Sequence, residues 1–314
     1  MSGVIDNKTL LEKADMDLGD LTSDGGLLVP AQAKQFIRIA IDNSVVMRMA
    51  TVKPMKSHKQ EIDKIRFGSR ILRAGQEARA LSEADRAKAD TSKVELDAQL
   101  FKAEVRLSDE VLEDNIERGS LRNTVMQLMA ERIALDMDEV IVNGDTTSAD
   151  PFLAQFDGML ASATSNQYDA SGAKLSKTVL RETMRTMPTE FRKNQMALKY
   201  MTSVDAKLDY HDSQADRETS LGDARLERDA TVRYQGAEVV PVPVFPDELG
   251  GSNNQTQMIF TDPKNLAVGI WRNVKMETDK IIQEGVLLIV ATLRFDFKYV
   301  EETAAVKVIN ILNK

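Results

Sequence analysis

The sequence predicts an α+β fold in which one long helix separates two regions rich in strands. Residues 51–107 alternate apolar and polar side chains with the period of two that is typical of strands. Residues 126–141 carry apolar side chains at helical spacing, and from Ala237 onward the chain is again β-branched, aromatic or alternating. Neither a regular strand-helix unit nor a longer internal repeat recurs, so we expect one elaborated or two modest domains.

The composition excludes several classes of protein. The 314 residues are 42% hydrophobic and 29% charged, which is enough for a sizeable core. The net charge of -8 gives a surface that repels phosphate backbones, and this disfavours sequence-specific DNA binding. The absence of cysteine excludes disulfides, thiolate zinc sites and cysteine nucleophiles. Charged residues interrupt the first 13 positions, and the longest purely apolar stretch is Val286–Ala291, so we expect neither a signal peptide nor a membrane span.

Residues 1–45 predict an N-terminal arm and a short helix. The first 24 residues are polar and end at a loop signal with paired glycines, Gly25 and Gly26. Apolar residues after Pro30 recur at three-to-four spacing and predict a helix that ends near Ser44.

Residues 46–107 predict a long two-stranded hairpin with a charged end. The alternation in the return strand changes phase between Leu100 and Phe101, as a bulge or a change of buried face produces. The segment between the strands, Arg70–Asp90, is highly charged and has few large apolar residues, so it cannot build a core of its own. Either another chain orders this segment or it is a flexible surface loop.

The strongest helix signal follows this hairpin. Ser108 is a good N-cap, Gly119-Ser120 interrupts the pattern, and the helix is predicted to end at Asn143-Gly144. Its apolar stripe consists of Met126, Met129, Ala130, Ile133, Met137, Val140 and Ile141. Two shorter helices are predicted at about 177–187 and 203–215. The later strands are predicted at 266–271, 274–282, 286–299 and 304–311, whereas Pro241 and Pro243 place the run around them at a sheet edge or in a loop.

Residues suited to catalysis are scarce. His58 and His211 are the only histidines and are interpreted as solvated, and no nucleophile-elbow, Walker A, dinucleotide-binding or HExxH motif is present. A weak acidic group near Gly19 fails the spacing of a calcium loop, so no metal or cofactor is predicted. A carboxylate-dependent enzyme would need its acids to converge in one pocket with raised pKa values. The candidate acids are Asp136, Asp138, Glu139, Asp145 and Asp150, for which a solvated or intersubunit face is the favoured interpretation.

Several short motifs follow one another in a fixed order along the chain. The first is Gly25–Pro30 (GGLLVP), and the second is the return strand 100–108 running into Asp109–Asp114 (DEVLED). The third is Asp138–Asp145 (DEVIVNGD), which Gly158–Leu160 (GML) follows. Taken in this order, they resemble the major capsid proteins of tailed bacterial viruses, the family with the HK97-type fold. The first motif corresponds to the family's entry after the arm. The second corresponds to the end of its extended E-loop and the start of its spine helix, and the third to the end of that helix.

The C-terminal half is similar to the same family, so the resemblance covers residues 25–312. Phe260–Gly269 stands where the family has a strand, a turn and another strand, and Arg294–Phe297 stands near its "R-x-D" strand.

The resemblance implies a division of the chain into four parts. An N-terminal arm and short helix would occupy 1–45, and the E-loop β-hairpin with its return strand 46–107. A peripheral (P) domain with the spine helix would occupy 108–189 and 255–314. The core of an axial (A) domain would occupy 190–254.

The implied function is structural and not enzymatic. A major capsid protein of this kind self-assembles through pentamers and hexamers into an icosahedral shell that encloses double-stranded DNA, which it contacts only non-specifically. It is assembled in the host cytoplasm and becomes part of the virion. The implied partners are further copies of the chain, a portal, decoration proteins and a separate scaffolding protein, because only about 24 residues precede the entry motif. An encapsulin-like nanocompartment shell shares the fold and remains the alternative.

The resemblance also supplies a partner for the charged segment. The family's E-loop reaches over neighbouring subunits, so charged side chains here are expected to pair between copies of the chain. The predicted contact residues are Arg66, Arg70, Arg73, Glu77, Arg79, Glu83, Asp85 and Arg86. A covalent cross-link between subunits is not predicted, because no lysine here matches the site at which some members form one.

Overall fold

A computed structural model describes residues 44–66, 71–72, 90–108, 121–215, 231–250 and 254–313. The helices of this part are α1 (Val45–Met49), α2 (Leu121–Asn143), α3 (Met159–Ser162), α4 (Lys177–Thr186) and α5 (Val204–Ala215). The strands are β1 (Thr51–Pro54), β2 (Lys59–Arg66), β3 (Asp90–Asp97), β4 (Gln99–Ser108), β5 (Gln167–Asp169), β6 (Lys199–Thr202), β7 (Arg233–Tyr234), β8 (Ala237–Pro241), β9 (Gln255–Thr261), β10 (Leu266–Ile281), β11 (Val286–Tyr299) and β12 (Val306–Leu312). The predicted arm, the short helix before Ser44 and the helix start after Ser108 lie outside the described residues.

A four-stranded sheet in the order β1-β10-β11-β4 carries the long helix α2. Strands β10 and β11 form an antiparallel pair, β4 continues the sheet antiparallel to β11, and β1 runs parallel to β10. The predicted helical stripe is confirmed, because its residues from Met129 to Ile141 are buried in one core with Phe295 and Phe297 of β11. Apolar burial of this stripe fixes the position of α2 on the sheet.

The phase change in the return strand marks a change of sheet. Strand β3 pairs only with β2 in a two-stranded sheet, whereas β4 pairs with β11. Ala98 stands between them, is fully buried and donates its N–H to the carbonyl of His58. The structure therefore has the predicted change of buried face, but at Ala98 and not between Leu100 and Phe101. Leu100, predicted on the same face as Leu96 and Ala98, is 53% exposed because it already belongs to β4.

A six-stranded sheet in the order β5-β12-β9-β6-β8-β7 forms the second layer. Alternate side chains of its strands face opposite ways, as the strand period requires. Tyr200 and Phe260 stack at 4.2 Å between ring centroids on the side covered by α4 and α5. Met201 and Ile259 point the other way, into the core that contains α2.

The proline-containing run lies at the edge of this sheet, as predicted. Strand β8 ends at Pro241, and its outer neighbour β7 pairs only with Ala237 and Glu238. The Val239 N–H still donates to the Val232 carbonyl, and Pro241 lies beyond this last bond, where a missing N–H costs little. Among the described helices, none is both long enough and apolar enough to cross a membrane.

Replacement of Ile133 by Asp is expected to unfold the subunit. Ile133 is 6% exposed in the α2 stripe, so Asp would place an unpaired carboxylate in the core. The expected loss in the free energy of unfolding is about 4 kcal/mol or more, measured by urea titration of the soluble chain. Leu135→Asp is the matched control, because Leu135 lies on the same helix and is 43% exposed. Equal losses in the two variants would mean that the buried face of α2 is assigned wrongly.

Candidate assembly surfaces

The β2–β3 hairpin projects charged side chains along both of its strands. Its register pairs Lys59 with Asp97 at the base and Arg66 with Asp90 at the far end. Lys59 Nζ lies 3.3 Å from a Glu95 oxygen and 3.0 Å from an Asp97 oxygen, and Lys93 pairs with Glu61 across the ladder. These exposed pairs contribute little stability individually. The hairpin is attached to the body by its base and by Lys64 of β2, whose Nζ lies 3.2 Å from a Glu301 oxygen.

A small apolar cluster attaches the base of the hairpin to β10. Met55, Leu96 and Ala98 are buried together, with Trp271 packed against them. Gly269 makes this approach possible, because a Cβ there would lie 2.7 Å from Met55 Sδ and 2.9 Å from Leu96 Cδ1. Any larger residue at 269 would push the hairpin away from the body.

His58 belongs to the same joint. Its side chain is 45% exposed, in keeping with the predicted contact with solvent, and its Nδ1 lies 2.8 Å from an Asp97 oxygen. The imidazole also meets the Trp271 ring edge-on at 5.4 Å, and the guanidinium of Arg294 lies 4.7 Å from the centre of that ring. His58 therefore helps to pack the joint and has no catalytic partner there.

A buried carboxylate of β11 completes the joint. Asp296 is 1% exposed and accepts the backbone N–H groups of Asp97 and Phe297, both at 2.8 Å. Burial raises the pKa of Asp296, and these hydrogen bonds oppose the rise. Asp296 is the acid of the "R-x-D" resemblance, which sequence reasoning noted without assigning it a role. Its geometry shows that it ties the end of β3 to the body.

A second buried carboxylate holds the point where the described chain begins. Asp138 of α2 is 2% exposed, and it accepts a 2.5 Å hydrogen bond from Ser44 Oγ and a 2.9 Å bond from the Val45 N–H. Ser44 also caps α1 by accepting the N–H of Met47. Burial raises the pKa of Asp138 despite these bonds. Asp138 therefore anchors α1, and with it the start of the body, to the spine helix.

The remaining acids near the end of α2 do not converge. Asp136 pairs with Arg132 at 2.9 Å on the helix surface, and Asp150 accepts the N–H of Phe152. Asp145 accepts both the hydroxyl and the N–H of Thr147, and these hydrogen bonds lower its pKa. The carboxylate-dependent enzyme required these acids to share one pocket, whereas Asp138 is buried against Ser44 and Val45, and Asp136, Asp145 and Asp150 each bind a separate local partner. No cluster of acids and histidines suited to a metal ion occurs in the part of the chain that the structure describes.

Two glycines explain the motif that follows the helix. A Cβ on Gly144 would lie 2.5 Å from the Val140 carbonyl, and one on Gly158 would lie 2.5 Å from that of Ile141. The Gly158 N–H donates to the Gly144 carbonyl at 2.9 Å, which closes the loop between them. The loop can return against the end of α2 only because both residues lack a side chain.

The charged contact residues predicted for the E-loop are mostly outside the described residues. Arg66 ends β2 opposite Asp90. Seven others fall in ranges that the structure does not describe: Arg70, Arg73, Glu77, Arg79, Glu83, Asp85 and Arg86. Their pairing between subunits stays a prediction.

The arrangement defines a class of structural proteins that build shells by repetition. A long helix on a four-stranded sheet, a second six-stranded sheet and a charged two-stranded hairpin make up the HK97-type capsid fold. The sequence model of the phage capsid family matches residues 25–311, and this chain belongs to that family. It is a structural, non-enzymatic component of the virion capsid, so the predicted fold, family and functional class are confirmed.

Individual relatives agree with this assignment. The chain is 36% identical over 309 residues to the prophage capsid protein YqbE of Bacillus subtilis (strain 168). This alignment covers 97% of this chain and 99% of that protein. A chain of the satellite phage P4 procapsid, in a structure that includes the size determination protein, superposes with a TM-score of 0.66 and 14% identity. The match covers 98% of this chain and 98% of the P4 chain. The SrpI encapsulin of Synechococcus elongatus PCC 7942 matches 96% of this chain and 97% of its own, with a TM-score of 0.55 and 11% identity. The two structural matches show the shared fold alone.

Asp138→Asn is expected to change how stability depends on pH. Burial raises the pKa of Asp138 in the folded state. The contribution of Asp138 to the free energy of unfolding is therefore fully present below the ordinary aspartate pKa of about 3.9, and it is lost as the pH rises through the pKa of the folded state. The free energy of unfolding of the wild type, minus that of Asp138→Asn, should therefore fall from pH 4 upward in urea titrations. Asp136→Asn on the helix surface is the control. A difference that rises with pH would contradict the assigned burial.

Proposed function

We propose that this chain is the subunit of an icosahedral shell that assembles through pentamers and hexamers and encloses a viral double-stranded DNA genome. The observation that carries the proposal is the family match over residues 25–311, which includes every described element except the last residue of β12. The joint at Ala98 supports it, because the hairpin is attached firmly at its base while both strands carry charged side chains. A hairpin of this kind suits contact with a neighbouring copy.

The two sheets suggest how the subunit is divided. We assign α2 and the four-stranded sheet to the P domain and the six-stranded sheet to the A domain. The sequence prediction gave 190–254 as the core of the A domain. The six-stranded sheet also takes β5, β9 and β12 from outside this range, and the assignment by sheets keeps all six strands together. The arm at 1–45 and the E-loop within 46–107 are assigned to contacts with neighbours.

The charge of the chain supports a container that does not bind its contents tightly. With 49 acidic and 41 basic residues, a shell of many copies repels packaged DNA on average. Contacts with the genome are then non-specific, and a portal, a separate scaffolding protein and decoration proteins are the further partners. The encapsulin-like compartment is the second candidate, which the shared fold of the SrpI encapsulin favours.

Expression of the chain alone, followed by sedimentation velocity and electron microscopy, tests the proposal. Closed shells, or uniform rings of five or six subunits, are the expected result. Chain that remains monomeric both alone and with the scaffolding protein of its own virus would contradict it. Particles purified from an infected or induced host separate the two candidates, since nuclease-protected DNA supports the capsid and an enclosed protein cargo supports the compartment.

Deletion of residues 72–88 is expected to leave a folded subunit that forms no closed shells. The deletion spares both strands of the β2–β3 ladder and the cluster around Leu96, so the thermal transition should stay within a few degrees of the wild type. Shell formation should be lost in the sedimentation assay. Normal shells from the deletion variant would overturn the assignment of this segment to the E-loop.

A further inference from the structure

A cleft lined by arginines lies at the start of β6 and β8. Its volume is about 440 Å³, and Arg181 and Arg185 of α4, Arg192, Gln195 and Gln235 line it. Gln195 comes shortly before β6, and Gln235 lies in the turn that leads into β8. The cleft is therefore at the end of the sheet where these two parallel strands begin.

Three arginines and no acidic residue are among the described residues that line the cleft. The side chains of Arg181 and Arg185 are 49% and 65% exposed, and both contact a single Glu182 oxygen, at 3.1 and 3.2 Å. Arg192 adds a third guanidinium, whose Nε is buried and has no hydrogen-bond partner. A buried donor left unpaired is costly, and a carboxylate is the group that guanidinium forks bind best.

An exposed methionine extends the cleft with an apolar rim. Met196 is 81% exposed and lies under the β7–β8 turn, where a Cβ on Gly236 would be 3.5 Å from its Cγ. Gln235 and Gly236 both have positive φ, at 47° and 90°, which is the geometry of a tight hairpin turn. The turn therefore places Gly236 against Met196, and the neighbours of these two residues in the chain, Gln235 and Gln195, line the cleft.

Helix α5, which follows β6 in the chain, presents the complementary chemistry. Val204 and Leu208 are 40% and 54% exposed, and the side chain of Asp212 is 74% exposed. Successive positions four residues apart lie on one side of a helix, so these three form an apolar and acidic stripe. Helix α5 begins two residues after β6 ends.

The cleft and the α5 stripe are two different patches of one subunit. Contact between two different patches of identical subunits is heterologous, and it generates closed rings when the rotation is suitable. We propose that the α5 stripe of one subunit docks on the arginine cleft of a second copy of this chain, with Asp212 among the arginines and Leu208 against Met196. This inference rests on the proposed function and names a contact within its rings.

A charge swap tests the pairing. Arg185→Glu and Asp212→Arg should each raise the subunit concentration needed for rings or shells by about tenfold, while the two changes in one chain should restore most of the wild-type value. Lys177→Glu, on an exposed position of the same helix outside the cleft, should leave that concentration unchanged. Single variants that assemble like the wild type, or a double variant no better than the singles, would overturn the docking.

Cross-linking separates this inference from the proposed function. The chain has no cysteine, so Arg185→Cys combined with Asp212→Cys gives the only two thiols. A short bis-maleimide should then link subunits into a ladder beyond dimers, whereas either single variant can link only pairs. A ladder supports the contact even if no closed shell forms, and wild-type shells without a ladder in the double variant would overturn the contact while the capsid function stands.

Discussion

The chain must pass from the hairpin to the body at Ala98 without leaving a buried polar group unpaired, and much of the subunit depends on how this is solved. Strand β3 ends and β4 begins in different sheets, so the backbone at the crossing cannot continue one ladder. Asp296 supplies an acceptor for the Asp97 N–H, and His58 supplies a carbonyl for Ala98. The hairpin direction, the packing of Leu96 and the start of β4 all follow from that arrangement.

Buried carboxylates serve the same purpose at a second joint. Asp138 fixes Ser44 and the first turn of α1 on the spine helix, just as Asp296 fixes the hairpin. A buried carboxylate is costly and adds little net stability, but it accepts several N–H groups in one defined arrangement. A subunit that repeats in a closed shell benefits more from defined joints than from additional apolar burial.

Much of the fold could be predicted from residue patterns, while the joints could not. The α2 stripe, the existence of a phase change in the return strand and the edge position of Pro241 follow from local periodicity and backbone chemistry, although the phase change lies at Ala98 and not after Leu100. The two runs before and after residues 272–273 were predicted as separate strands, whereas β10 continues through two register shifts there. Asp138 was grouped with surface acids, although its position beside Met137 and Ile141 placed it at the edge of the buried stripe. Its partner Ser44 is 94 residues away, a separation that no local pattern reveals.

Strand β11 carries the hairpin anchor near one end and the turn with Ile282 at the other. The distance from Val286 to Asp296 along the strand is about 33 Å, and β10 stiffens it by pairing along its length. The paired strand therefore moves as one rigid element. A tilt of about 5° at the hairpin joint displaces the far turn by about 3 Å, enough to make or break a side-chain contact there. Subunits in a ring of five and in a ring of six differ in tilt. Such a change of tilt would alter contacts at the hairpin joint and at the far turn together.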